Sequence, residues 1–161
     1  MDVDIPLDVE MQDIQVLPNP EDLVNQLVAA VQAAELPTLH LFAQEAIKPE
    51  LLPPVDFLNG LSILQQTDVF RGCLLVHILS LGTKVPRKFQ LEAVLGSLAG
   101  QDGIISSGTG SGKTMIMILL LLLRPKELAI LIVPLKRLQK SQVKWLPFYT
   151  ISCADCLLSA A

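Results

Sequence analysis

The stretch "SSGTGSGKT", Ser106–Thr114, follows a short apolar run, "GIIS", and precedes a longer one, "MIMILLLLL". Glycines at alternate positions permit backbone turns that direct successive N–H groups towards one point. A helix that begins directly after such a turn adds the positive end of its dipole, and anions need donors that converge in this way. The stretch therefore predicts a strand, a phosphate-binding loop and a helix, in that order.

The end of this loop carries the two candidate catalytic residues. Lys113 would reach the β- and γ-phosphates of a nucleotide, and the Thr114 hydroxyl would bind Mg²⁺. The general pattern G-x-x-x-x-G-K-[ST] has a glycine at the position that Ser107 occupies here. The simpler alternative is a glycine-rich turn with a solvated lysine. The candidate cofactor-binding residues of the loop are Ser107, Gly108, Thr109, Gly110, Ser111, Gly112, Lys113 and Thr114.

The residues around the loop alternate between helical and strand patterns, which favours an α/β fold with a short parallel sheet and crossover helices. The two strand cores, "GIIS" and "AILIV", are apolar on both faces, as expected of strands that are covered on both sides. Helices are predicted at 87–99, 113–123 and 135–146, and strands at 103–106, 128–133 and 148–152.

The residues before the loop predict a helical N-terminal region. Asn19 can cap a helix, Pro20 suits its first position, and Glu21 and Asp22 favour the positive end of its dipole. This helix should end before Pro37, and further short helices are predicted at 38–47, 55–66 and 68–81. The predicted domains are an acidic arm without stable structure at 1–18, a helical region at 19–83, and a partial nucleotide-binding domain at 84–161.

The charge of the chain is divided between two segments. Residues 1–47 contain nine acidic residues and no Lys or Arg, whereas residues 48–161 contain 12 basic and seven acidic residues, so a polyanion would bind the second segment. The longest apolar run has nine residues, well below the roughly 20 that cross a bilayer. With an N-terminus unlike a secretory signal, we expect an intracellular protein without membrane contact, with the nucleus as one candidate location. "CADC", Cys153–Cys156, lacks further zinc ligands nearby, which favours two unrelated thiols over a metal site.

Two flanking stretches, "VPRKFQLEAV" before the loop and "AILIVPLKRLQKSQV" after it, suggest a family. Together with the loop they resemble the start of a superfamily 2 helicase of the DEAD-box and RecQ-like group, over about residues 84–144. In this resemblance Pro86–Gln90 is the Q-motif or motif 0, the loop is the helicase form of motif I, and Pro134–Val143 is motif Ia. Arg87, three residues before the glutamine, is similar to the RecQ-like pattern. The resemblance implies the first part of a RecA-like lobe.

The resemblance also implies ligands for the two flanking segments. Arg87 and Gln90 would join the ATP site, and an amide such as that of Gln90 can both donate to and accept from an adenine edge. Motif Ia implies contact with a nucleic-acid backbone, and Lys136, Arg137 and Lys140 are the candidate residues. Lys136 and Lys140 are spaced i, i+4, as in a basic helix stripe whose phosphate binding is independent of base sequence. The alternative for Gln90 is a surface amide, and the alternative for the basic stripe is a solvated helix face. The stripe is equally compatible with DNA and with RNA.

Hydrolysis in this helicase group also requires a D-E-x-[DH] motif on a later strand, and after Lys113 the only acids are Glu127 and Asp155. The expected function is therefore that of an ATP-binding and nucleic-acid-binding fragment of an ATP-dependent helicase that does not unwind by itself. A truncated gene or splice product, a decayed copy and a small binding protein would all fit. The alternative is a non-catalytic interaction module whose N-terminal helices bind a protein partner and whose loop is vestigial. A small P-loop kinase is a third, weaker reading.

Overall fold

The computed structural model describes residues 19–127 of the chain. Within this range the chain is helical, and the predicted helical N-terminal region is confirmed. The elements are the helices α1 (Pro20–Ala33), α2 (Leu36–Ala46), α3 (Val55–Asn59), α4 (Ile63–Leu79), α5 (Lys88–Leu98) and α6 (Lys113–Leu123), with a 3₁₀ turn at Pro49–Leu51.

The first two helices are joined by only two residues. Asn19 Oδ1 accepts a hydrogen bond of 3.3 Å from the N–H of Glu21, and Pro20 is the first residue of α1, as the sequence predicts. The helix ends at Ala33 because Ala34 is extended, and Pro37 lies in the first turn of α2, where a missing N–H costs nothing.

Helix α4 is the central element, and its start differs from the prediction. The pattern predicted one helix at 55–66 and another at 68–81, whereas α3 ends at Asn59 and α4 begins at Ile63. Ser62 sets this start, because its Oγ accepts from the Gln65 N–H at 3.3 Å and Gln65 Oε1 accepts from the Ser62 N–H at 2.9 Å.

One apolar core joins the N-terminal helices to the helix that follows the glycine loop. Helix α4 contacts α1, α2, α5 and α6, and α5 also packs on α6. The largest fully buried side chains come from α2, α4 and α6 among other elements and include Leu39, Leu74, Leu75 and Leu119. Burial in this core raises the pKa of the Cys73 thiol to about 12, so the thiol stays protonated at neutral pH.

The predicted strand at 103–106 is wrong. These residues have no regular secondary structure, and the side chain of Ile104 is 99% exposed. A strand needs a paired neighbour to satisfy its N–H and C=O groups, and residues 19–127 contain no strand to supply one. The predicted α/β fold, a RecA-like lobe with a short parallel sheet, is therefore contradicted.

Several predicted elements lie outside the described residues. They are the arm at 1–18, the strands at 128–133 and 148–152, and the helix at 135–146. No helix of residues 19–127 is long and apolar enough to span a bilayer.

Candidate phosphate-binding loop

The loop between Ser107 and Gly112 leads directly into α6 and depends on two glycines. Gly110 and Gly112 have φ values of 80° and 84°, in the left-handed region that favours glycine. The Ser111 N–H donates to the Gly108 carbonyl at 3.3 Å, which closes the turn. Gly112 caps α6, and its carbonyl accepts from the Met115 N–H at 2.9 Å. The backbone therefore turns sharply immediately before the helix begins.

The Lys113 side chain folds back over this loop. Its Nζ donates to the carbonyl oxygens of Ser107 at 2.5 Å and Gly108 at 3.0 Å, and the residue is exposed to solvent. The ammonium group thus lies beside the loop, at the positive end of the α6 dipole. Two sources of positive potential coincide there.

The main-chain N–H groups of the loop and of the start of α6 are potential donors to a ligand. The N–H groups of Thr109, Gly110, Gly112, Lys113 and Thr114 have no hydrogen-bond acceptor among residues 19–127. The first N–H groups of any helix lack intrahelical acceptors, and at the start of α6 no side-chain cap accepts from them. Unpaired donors beside an ammonium group form a suitable environment for an anion such as phosphate.

Gln90 connects this loop to the start of α5. Its Oε1 accepts from the Arg87 N–H at 2.7 Å, and its Nε2 donates to the carbonyls of Gly112 at 2.9 Å and Ser111 at 3.4 Å. The side chain is buried, with the residue only 5% exposed. Both ends of the amide are used within the protein, and the predicted contact with adenine stays a prediction. Arg87 takes part in this contact through its main chain.

The sequence did not predict that Gln90 connects α5 to the loop, although half of this role has a recognisable sequence pattern. A glutamine at the third position of a helix commonly accepts from the N–H of the residue before the helix, and Gln90 stands at that position. Its second contact, to the loop 21 and 22 residues further along, depends on the packing of α5 against α6. That contact could not be inferred from the spacing.

The hydroxyl groups of the loop differ in their surroundings. The Ser111 Oγ is buried without a hydrogen-bond partner among residues 19–127, and Thr109 is exposed. Thr114 is half-buried in the first turn of α6. The described residues contain no group of three or more His, Cys, Asp or Glu side chains that could hold a metal ion. A Mg²⁺ ion here would need the phosphates of a nucleotide and water as its main ligands, as Mg²⁺ commonly does.

A groove of about 380 Å³ lies beside the loop but does not include its N–H groups. It is formed by one face of α5 and the segment 101–106, and Glu92 and Asp102 are its charged lining residues. Because acidic groups repel phosphate, the groove is no continuation of an anion site. The remaining lining residues are Phe89, Ala93, Gly96, Ser97, Gln101, Gly103, Ile104, Ile105 and Ser106.

The far end of α6 is held by a partly buried ion pair that the sequence pattern did not predict. Arg124 donates through Nη1 and Nη2 to Asp68 Oδ1 and Oδ2 at 3.1 and 2.9 Å. These hydrogen bonds raise the pKa of the Arg124 guanidinium. Arg71 lies 3.8 Å from the same carboxylate and caps the end of α1 by donating to the carbonyls of Val31 and Ala34 at 3.3 and 2.9 Å. The partners are 56 residues apart, so no local pattern indicates the pair.

The predicted nucleic-acid contacts Lys136, Arg137 and Lys140 lie outside the described residues.

Comparison with known proteins relates part of the chain to one family. Residues 87–156 match the sequence model of the family described as DEAD/DEAH box helicase, a range that begins at α5 and contains the loop and α6. The chain has no match among curated proteins or among solved structures. The match supports a relationship of this part of the chain to the helicase superfamily, whose members generally use ATP.

Proposed function

From this relationship of residues 87–156 to the DEAD/DEAH box helicases, we propose that the loop Ser107–Thr114 binds the phosphates of ATP with Mg²⁺. The single observation that carries the proposal is that one loop combines the Lys113 ammonium, folded onto the Ser107 and Gly108 carbonyls, with five main-chain N–H groups that lack acceptors among residues 19–127. When ATP is bound, the β- and γ-phosphates would replace the carbonyls of Ser107 and Gly108 as the hydrogen-bond acceptors of the Lys113 ammonium group. The family relationship supports ATP as the anion.

The remaining loop residues would complete the ATP site. Thr114 would offer its hydroxyl to Mg²⁺, which neutralises phosphate charge when it is bound. The first half of the loop would be formed by Ser107, Gly108 and Thr109. The N–H groups would be directed towards the phosphates by the second half, Gly110, Ser111 and Gly112. The roles of the glycines follow from the backbone turn, whereas Thr114 acts through its side-chain hydroxyl.

The central experiment compares nucleotide binding by the wild type and by Lys113→Ala. Removing the ammonium group takes away a charge-assisted contact to phosphate, so ATP·Mg²⁺ should bind about ten-fold or more weakly. Lys126→Ala is the matched control, because Lys126 is exposed and lies beyond the opposite end of α6. Isothermal titration calorimetry measures both. Equal affinity of Lys113→Ala and wild type would overturn the proposal.

Gln90 has two proposed contributions, which a second titration separates. If its amide reads adenine, the wild type binds ATP more tightly than GTP, and Gln90→Ala removes that preference. If its amide only supports the loop through Gly112 and Ser111, Gln90→Ala weakens both nucleotides by the same factor. The ratio of the two dissociation constants, measured for both proteins, decides between adenine recognition and loop support.

We further propose that Lys136, Arg137 and Lys140 contact a nucleic-acid backbone and that the chain is RecQ-like, in keeping with an intracellular and nuclear location. The support is the basic stripe in the sequence and the family match, which extends through these residues. The triple alanine variant should bind labelled single-stranded DNA or RNA more weakly and with a shallower salt dependence. Lys88→Ala, on the exposed side of α5, is the control. An unchanged salt slope in the triple variant would contradict the assignment.

A further inference from the structure

Helix α1 presents an apolar stripe that the core does not cover. It faces the core through Val31, which is buried, and through Val24 and Val28, which are partly buried. Leu23, Leu27 and Ala30 follow one another at i, i+4 and i+7 on an adjoining side, and all three are exposed. Leu23 is 44% and Leu27 53% exposed. The helix is thus apolar on a broader arc than its contact with α4 requires.

The surroundings of this stripe are acidic. Glu21 and Asp22 occupy the first turn of α1 and are exposed, and residues 19–47 contain four acidic residues and no Lys or Arg. Asp22 lies on the row of α1 next to the exposed leucines, away from the core. A ligand that covers the leucines would therefore meet negative charge at the edge of its contact.

We propose that the stripe Leu23, Leu27 and Ala30 is a docking surface for a basic amphipathic helix of a protein partner. The apolar side of that helix would pack on the two leucines, and its lysines or arginines would face Asp22, which lies in the row of α1 beside them. Burial of the leucines supplies the affinity, and Asp22, with no Lys or Arg among residues 19–47, selects a basic rather than an acidic helix. A single helix stripe is small for a protein interface, so the complex is transient. This surface is separate from the glycine loop, and its test does not depend on nucleotide binding.

The probe is a synthetic fluorescein-labelled helical peptide with leucines on one face and lysines on the other. Its binding to the full chain is followed by fluorescence anisotropy at several salt concentrations. The wild type should bind saturably, and Leu23→Ser/Leu27→Ser should bind at least about ten-fold more weakly. Asp22→Asn should bind more weakly at low salt and lose part of the salt dependence. Glu21→Gln removes the same charge on the opposite side of α1 and should have the smaller effect.

Leu64→Ser is the matched control, because Leu64 is also an exposed leucine but lies in the first turn of α4. It should bind the peptide as the wild type does. Circular dichroism establishes that each variant keeps its helical content, which is expected since the substituted side chains are exposed.

Three results would overturn the proposal. The first is equal peptide binding by the wild type and Leu23→Ser/Leu27→Ser. The second is equal binding of a peptide in which glutamates replace the lysines, because the charge of the stripe would then select nothing. The third is a dimer in sedimentation velocity that the leucine variant loses, which would make a second copy of the chain the occupant.

Discussion

Single residues of the glycine loop differ sharply in what they tolerate. A Cβ atom at Gly112 would lie 2.8 Å from Gln90 Nε2, and its φ of 84° is unfavourable for other residues. Gly110 has a similar φ but open space around it, and Gly108 meets no atom within 4 Å and no positive φ. Substitution would therefore meet steric crowding and backbone strain at Gly112, backbone strain alone at Gly110, and neither at Gly108.

Alanine substitutions should rank these glycines by their effect on the loop. Gly112→Ala should cost about 2 to 3 kcal/mol of stability and weaken ATP binding, because strain and contact with Gln90 add. Gly110→Ala should cost about 1 kcal/mol, and Gly108→Ala should be close to neutral. Urea denaturation and nucleotide titration of the three variants measure these effects. A Gly108→Ala variant as damaged as Gly112→Ala would contradict the assigned geometry.

At this scale the sequence predicted the loop residues but not all of their contacts. The turn before α6 follows from Gly110 and Gly112, because glycine alone adopts left-handed φ values without penalty. The internal role of Gln90 could not be predicted, since a free amide and a bonded amide have the same sequence. Only the packing of α5 on α6 brings Gln90 to the loop.

At the scale of elements, α6 is fixed at both of its ends. Its N-terminus carries the loop, which Gln90 holds, and just beyond its C-terminus Arg124 binds Asp68 of α4. The Asp68 side chain is 5% exposed and that of Arg124 30% exposed. Loss of the arginine would leave a buried carboxylate whose remaining positive partner among residues 19–127 is the more distant Arg71.

A double-mutant cycle should show strong coupling between these two positions. Arg124→Gln should destabilise the chain by about 2 kcal/mol, and the coupling to Asp68→Asn should be about 1 to 3 kcal/mol. The exposed pair Lys88 and Glu92, 3.6 Å apart at i, i+4, should couple by only about 0.3 to 0.5 kcal/mol. Thermal and urea denaturation provide both cycles. Equal coupling in the two pairs would mean that burial of Asp68 contributes nothing.

The sequence predicted helices better than it predicted the strand, and the reason is local chemistry. Asn19, for example, begins α1 through a hydrogen bond that forms within two residues. The run "GIIS" is apolar like a buried strand, but a strand exists only when a neighbour pairs with it. Ile104 and Ile105 are exposed instead. Pairing is a property of the folded chain that four residues cannot encode.

At the scale of the molecule, the helical region and the glycine loop belong to one folded body. Gly72 of α4 permits a close approach of α6, since a Cβ there would lie 3.1 Å from Leu119 Cδ2. Leu119 is fully buried, and the core continues from it through α4 to α2 and α1. The sequence predicted two regions at 19–83 and 84–161 but offered no means to predict this shared core, because the contacts join residues far apart along the chain.

A change in this shared core should affect both regions together. Leu119→Ala should cost about 2 to 5 kcal/mol because it leaves a cavity between α4 and α6. Amide hydrogen exchange should then accelerate in α2 as well as in α6, since the two helices pack on the same central helix. Leu120→Ala, at a partly buried neighbouring position, is the milder control. Acceleration confined to α6 would show that the regions unfold separately.

The pairing of Asp68 with Arg124 also has a consequence for the evolution of the sequence. Each side chain is favourable in its place mainly because the other is present, so a change at one position should be tolerated in descendants chiefly alongside a matching change at the other. Across related genes the two codons are expected to vary together, although 55 others separate them in the reading frame.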